Sequence, residues 1–252
     1  HGNLYGAVEF YKAAKEAGIK PIFGCELYLT PGSRHDKRAK IDDTRYHLPL
    51  LVKNETGWKN LLQLVTRAHL EGFYYKPRVD KELLEKHHEG LVCLGGCLSG
   101  EVSKLIELGR EAEAEEALKF YQSLFGEDYY FEIQPHNEKE INEKLIAFAN
   151  KHSLQIVATC DAHYIHKDDK AAHEILLAVQ TGTKVDDEKR LTLEDMDLHL
   201  KSGDEVAAEF PQMPEALENT VKVADKCNFE LELDKVLLPK FPIPEQGMDA
   251  MG

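Results

Sequence analysis

Short continuous apolar runs alternate with helix-period segments along most of the chain, and this alternation constrains the fold more than any other feature. Residues 21–29, 47–52, 90–94, 129–133 and 155–159 each read as a buried strand. Between them, residues 4–17, 56–70, 99–108, 111–124, 138–151 and 169–180 repeat apolar positions at helical spacing, with Thr56 as a candidate N-cap. Strands that are apolar throughout must be covered on both faces. Helices between them supply that cover, so the pattern predicts an α/β fold with parallel strands, in a barrel or an open doubly wound form. After about Thr183 the pattern gives way to loops, an acidic helix near 204–210 and a helix over 214–226. The proline-rich run from Leu237 to Pro244 reads as a linker.

Composition narrows the function. The 31 Lys and Arg against 45 Asp and Glu leave a net charge of −14 with histidine neutral. So acidic a surface does not wrap a phosphate backbone over a wide face, and it suits a cation site better. Apolar residues at 42% and charged residues at 30% exclude disorder and low complexity. No apolar run approaches the ~20 residues needed to cross a bilayer, so no membrane partner is expected. Five cysteines without paired spacing fit a reducing, cytoplasmic compartment. Twelve histidines are a first pointer to metal chemistry. The chain opens on His1 without a signal pattern and ends without a closing cap, so it reads as an internal piece of a longer protein.

In parallel α/β folds chemistry collects on loops at the carboxyl ends of strands. Glu26 lies in an apolar strand, where a carboxylate is costly unless paired or bound to metal. Cys97 follows the 90–94 strand after Gly95 and Gly96, His136 follows the 129–133 strand, and Asp161 and His163 follow the 155–159 strand. Two apart, Asp161 and His163 face the same way if extended. His47 opens its strand instead of closing it and fits less well. Glu, Asp, His and Cys mix hard and soft donors, which favours zinc or manganese. Spacing by itself leaves a metallohydrolase and a structural α/β domain equally open. Residues 72–78 interleave aromatic and basic side chains; they are an ordinary loop or a phosphate and nucleic-acid contact. Asp195-Met196-Asp197 has no strand before it and reads as solvated surface.

Longer motifs carry a family resemblance. His1-Gly2-Asn3-Leu4-Tyr5-Gly6, Gly24-Cys25-Glu26, Asn54-Glu55-Thr56-Gly57, the run from Glu71 through Tyr74-Tyr75-Lys76-Pro77-Arg78 to Asp80, and Asp161-Ala162-His163-Tyr164 closely resemble the amino-terminal PHP (polymerase and histidinol phosphatase) domain of bacterial DNA polymerase III alpha subunits. The likeness extends through Gln180-Thr181-Gly182 to Phe241-Pro242-Ile243-Pro244. The resemblance implies a distorted parallel βα barrel of about seven strands with a cluster of up to three metals at one end. It implies a PHP domain over residues 1–235, lacking its first one or two strands, and a linker over 236–252 toward a polymerase palm domain absent here.

The ligands so implied are His1, Glu26, His47, Cys97, Asp161 and His163, with Glu26, Asp161 and His163 in catalysis. His136 is implied as a contact to substrate or metal, and Lys76 and Arg78 of the aromatic and basic loop are the candidate substrate contacts. The family's opening His-x-His motif and a following Asp have no counterpart in this sequence. The implied activity is a metal-dependent phosphoesterase associated with 3′–5′ proofreading. It would work inside a chain whose other domains carry magnesium-dependent, template-directed DNA synthesis by nucleotidyl transfer. DNA, a sliding clamp and a proofreading subunit are the implied partners. Two alternatives stand beside it. One is a structural module that stabilises the polymerase and docks a proofreading subunit. The other is a stand-alone histidinol-phosphatase relative, against which the Tyr-Tyr-Lys-Pro-Arg loop and the proline-rich tail count.

Overall fold

A computed structural model describes residues 1–233 together with Lys235, Val236 and Leu238. The expected linker over 236–252 otherwise lies outside the described residues. The elements in chain order are α1 (Ala7–Glu16), β1 (Gly24–Leu29), β2 (Tyr46–Val52), α2 (Glu55–Leu70), β3 (Arg78–Val79), α3 (Lys81–His87), β4 (Leu91–Leu94), α4 (Glu101–Glu107), α5 (Glu111–Phe125), β5 (Tyr129–Ile133), α6 (Lys139–Lys151), β6 (Ile156–Ala158), α7 (Lys170–Thr181), α8 (Gly203–Glu209) and α9 (Pro214–Lys226). Every strand and helix expected from periodicity is present, with ends shifted by a few residues. The N-cap of α2 is Asn54, not Thr56: the Asn54 side chain accepts the Gly57 amide at 3.1 Å. The two-residue β3 was not expected, because it is too short to leave a periodic trace.

The six strands form one sheet in the order β3-β1-β2-β4-β5-β6. The pairs β1–β3, β4–β5 and β5–β6 are parallel. The expectation of an all-parallel sheet fails at β2, which runs antiparallel to both β1 and β4. The reason is the connection. A parallel crossover usually needs a helix to carry the chain back along the sheet. The segment from Thr30 to Arg45 contains no helix, so the chain turns at the end of β1 and returns beside it, pairing Tyr28 with His47 and Glu26 with Pro49. In the described residues β3 and β6 are the sheet's two edges.

The core lies between the sheet and its helices. Leu27, Leu29, Leu50, Phe131 and Ile133 pack with Leu61, Leu64, Leu118 and Phe148 from the helices, all 5% exposed or less. A smaller cluster on the other side joins Val92, Tyr130 and Val157 to Val223 of α9. This two-sided cover explains the nearly unbroken apolar strands. Glycine is required where α2 meets the turn before β4: a Cβ on Gly57 would lie 1.9 Å from the Gly90 carbonyl oxygen. Gly57→Ala is therefore expected to cost about 3 kcal/mol, read as a lower midpoint in denaturant unfolding. An unchanged midpoint would mean that α2 and the turn before β4 do not touch. Among the described residues no helix is long and apolar enough to cross a membrane.

Candidate metal centre

The antiparallel course of β2 brings its first residues to the carboxyl end of β1. His47, which opens its strand, thereby joins the end of the sheet where the other strands close. Its Nδ1 lies 3.0 Å from Glu26 Oε1 and 3.5 Å from Cys97 Sγ. Donor atoms of Glu26, His47 and Cys97 all lie within 4.8 Å of one another. Cys97 reaches this position on a glycine loop. Gly96 has φ of +83°, and a Cβ there would lie 2.3 Å from the His47 carbonyl oxygen, so only glycine lets the loop press against β2. The Ser99 amide donates to Cys97 Sγ at 3.4 Å, and His47 N–H donates to Ser99 O at 2.9 Å.

These three side chains sit in a cavity of about 950 Å³ that His1, Asp161 and His163 also line. Asp161 is not extended. Its φ of +49° is left-handed, and the His163 Nδ1–H donates to the Asp161 carbonyl at 2.6 Å. That bond leaves His163 Nε2 as the ring's free acceptor. The loop is held from behind, because His163 N–H donates to Leu198 O and Leu200 N–H to Tyr164 O. The His1 and His163 rings are 6.3 Å apart, and His173 of α7 stands 5.4 Å from His163.

Electrostatics ties the cluster together. Burial alone would raise the Glu26 carboxyl, but its hydrogen bond to His47 holds it below the ordinary value. Burial pulls His47 down, and the bonds to Cys97 and Glu26 outweigh it, pushing the imidazole up to about 10. A carboxylate, an imidazole and a thiol sharing a single proton-bound contact are a donor set that a divalent cation fits.

Not every expected residue joins the cavity. Lys76 lines it and is exposed, with Nζ 5.7 Å from the Tyr28 ring. Arg78 corrects the expectation of a substrate contact. It is wholly buried, and its guanidinium donates to the carbonyls of Gly72, Asp42, Arg34 and Asp36. The arginine pins the long loop before β2 onto the aromatic loop, leaving no face for a phosphate. His136 is not among the lining side chains; it is half-buried with Nδ1 unpartnered. Asp197 is not simply solvated either, since it accepts from His199 at 2.7 Å and from Lys167 at 3.2 Å.

Glu132 on β5, Gln134 just after β5 and Thr159 just after β6 line the cavity without being among the residues expected there. Glu132 is only 5% exposed. Its signal was present: a carboxylate between Phe131 and Ile133 is as costly as the one that singled out Glu26.

A sheet that gathers a Glu–His–Cys cluster into a cavity lined by further histidine and carboxylate defines an α/β domain of the kind that can hold a divalent cation. The family model of the PHP domain matches residues 1–136, and the chain belongs to that family. It is 42% identical over 97% of its length to DNA polymerase III subunit alpha of Borreliella burgdorferi, 44% over 98% to that of Treponema pallidum, and 44% over 99% to that of Thermus aquaticus. The chain spans 22%, 22% and 21% of those proteins, about a fifth of their length.

Proposed function

We propose that this domain is a metal-dependent phosphoesterase that removes nucleotides from the 3′ end of DNA, within a replicative polymerase alpha subunit. The convergence of Glu26, His47 and Cys97 in a cavity that Asp161 and His163 share is the observation that carries it. Zinc suits the thiolate and imidazole best, with manganese second. Glu26, His47 and Cys97 would hold one cation, and His1, Asp161 and His163 offer donors for others. When bound, such an ion supplies Lewis-acid activation of water and charge neutralisation at a phosphoryl group.

The chain's own residues do the rest. Ser99 N–H steadies the Cys97 sulfur, the Asp161 carbonyl bonded to Nδ1 leaves His163 Nε2 free to accept, and Lys76 in the cavity lining can meet a phosphate. The same reading includes closure of the sheet into a distorted barrel and a cytoplasmic setting. It also includes DNA synthesis, the activity that the relatives' name denotes, together with the magnesium, sliding clamp and proofreading subunit that the family resemblance implies.

Asp161→Asn is the test. It keeps size and shape while removing the charge that balances a cation, so cleavage of single-stranded DNA should fall by about 10²-fold or more with an unchanged circular dichroism spectrum. Lys76→Ala should weaken DNA binding a few-fold and leave metal content intact. Cleavage in Asp161→Asn equal to wild type would sink the enzyme reading and leave the structural module standing.

A further inference from the structure

The cavity that holds the donor cluster has a second wall of opposite character. His173, Leu176, Leu177 and Gln180 of α7 all line it. They fall at i, i+3, i+4 and i+7, which is one face of a helix. This face begins at the metal centre, since the His173 ring is 5.4 Å from that of His163. It then leads onward along α7. At a helix rise of about 1.5 Å per residue, Leu176 is about 5 Å and Gln180 about 10 Å beyond His173 along the axis. Leu191 and Leu193, from the loop after α7, complete the wall.

That loop is fastened to α7 by Glu174, a carboxylate only 6% exposed. It accepts from the Arg190 guanidinium, from the Thr192 hydroxyl at 2.6 Å and from Leu193 N–H at 2.9 Å. Arg190 also donates to Val185 O at 2.8 Å, which folds the loop back on itself. A buried carboxylate with three donors specifies one arrangement of the chain around it. Yet two leucines of the wall so arranged stay open to water, Leu176 at 53% and Leu191 at 57% exposure. Leucines left in water forgo the free energy of burial. An apolar wall facing a few convergent polar groups is the usual form of a small-molecule site.

We propose that this wall is a nucleoside subsite: Leu176, Leu191 and Leu193 take the base and sugar of a terminal nucleotide whose phosphate lies at the donor cluster. The proposal rests on the reading that a phosphate ester of DNA enters this cavity. A ligand that meets both walls needs a phosphate at one end and a flat, largely apolar body at the other. A cavity of about 950 Å³ has room for a nucleotide. A bare sugar phosphate fits less well, because leucines give its hydroxyls no partners. The Gln180 side chain, at the far end of the α7 face, offers both a donor and an acceptor to a base edge.

Thymidine 5′-monophosphate is the probe, since its base carries a methyl group that apolar side chains can contact. Inorganic phosphate is the reference. Calorimetry gives the affinity of the zinc-loaded full chain for each. The nucleotide should bind wild type about tenfold or more tighter than phosphate. Leu176→Ser and Leu191→Ser change exposed positions and should each weaken the nucleotide about fivefold, with phosphate affinity and zinc content as in wild type. Equal wild-type affinity for nucleotide and phosphate would overturn the subsite. So would serine variants that bind the nucleotide as wild type does, or that lose nucleotide and phosphate in the same proportion. Phosphate that does not bind at all would overturn the phosphoesterase reading and the subsite with it. Phosphate that binds without any preference for the nucleotide overturns the subsite alone.

Discussion

Arg78→Ala is expected to destabilise the domain by about 3–5 kcal/mol, more than any surface substitution. The wild-type guanidinium is wholly buried and spends its donors on four carbonyls from three stretches of chain. Alanine leaves those carbonyls without partners and opens a void beside Tyr74, whose ring lies 5.2 Å from the guanidinium carbon. Arg78→Lys should recover little, because one ammonium cannot span the same fork of acceptors. Urea unfolding monitored by circular dichroism measures both. A stable Arg78→Ala variant with impaired DNA binding would reinstate the arginine as a substrate contact.

Cys97→Ser should lower zinc affinity by more than the roughly 10–100-fold typical of outer partners, because it removes the thiolate itself. Competition with a chromogenic chelator gives the value, and undiminished affinity would remove Cys97 from the donor set.

The same cluster predicts a pH effect on stability. His47 has an ordinary value of 6.5 and is raised to about 10 in the fold, the Cys97 and Glu26 bonds outweighing burial. A raised folded value stabilises fully below the unfolded value and is lost as pH rises through the folded one. The metal-free protein should therefore lose stability between about pH 6.5 and pH 10, while the zinc-loaded protein, whose His47 is already deprotonated, should not lose it by this route. Thermal midpoints of chelator-treated and zinc-loaded samples across that window compare the two. Parallel pH profiles would show that His47 does not carry the shared proton.

Much of this molecule is determined by local pattern. Apolar runs of strand length between helical periods specify an α/β sheet, since each segment's spacing of apolar residues decides which element can bury them. The cost of a carboxylate in such a strand singled out Glu26, and the position of Cys97 and Asp161 after strands put them at one end of the sheet. Strand direction is another matter. Whether β2 runs with or against β1 depends on how the intervening loop crosses the sheet, and only the antiparallel return carries His47 to Glu26 and Cys97. Nor does composition show where a polar side chain finds its partners. Arg78 sits in a run that reads as a nucleic-acid loop, but carbonyls 36 to 44 residues away in sequence claim most of its donors. Glu132 looks like any strand carboxylate until Thr159, 27 residues on, takes one of its oxygens and packing seals off the other. Element identity follows from near neighbours along the chain; the charge and availability of a functional group follow from distant neighbours that only the folded structure brings within reach.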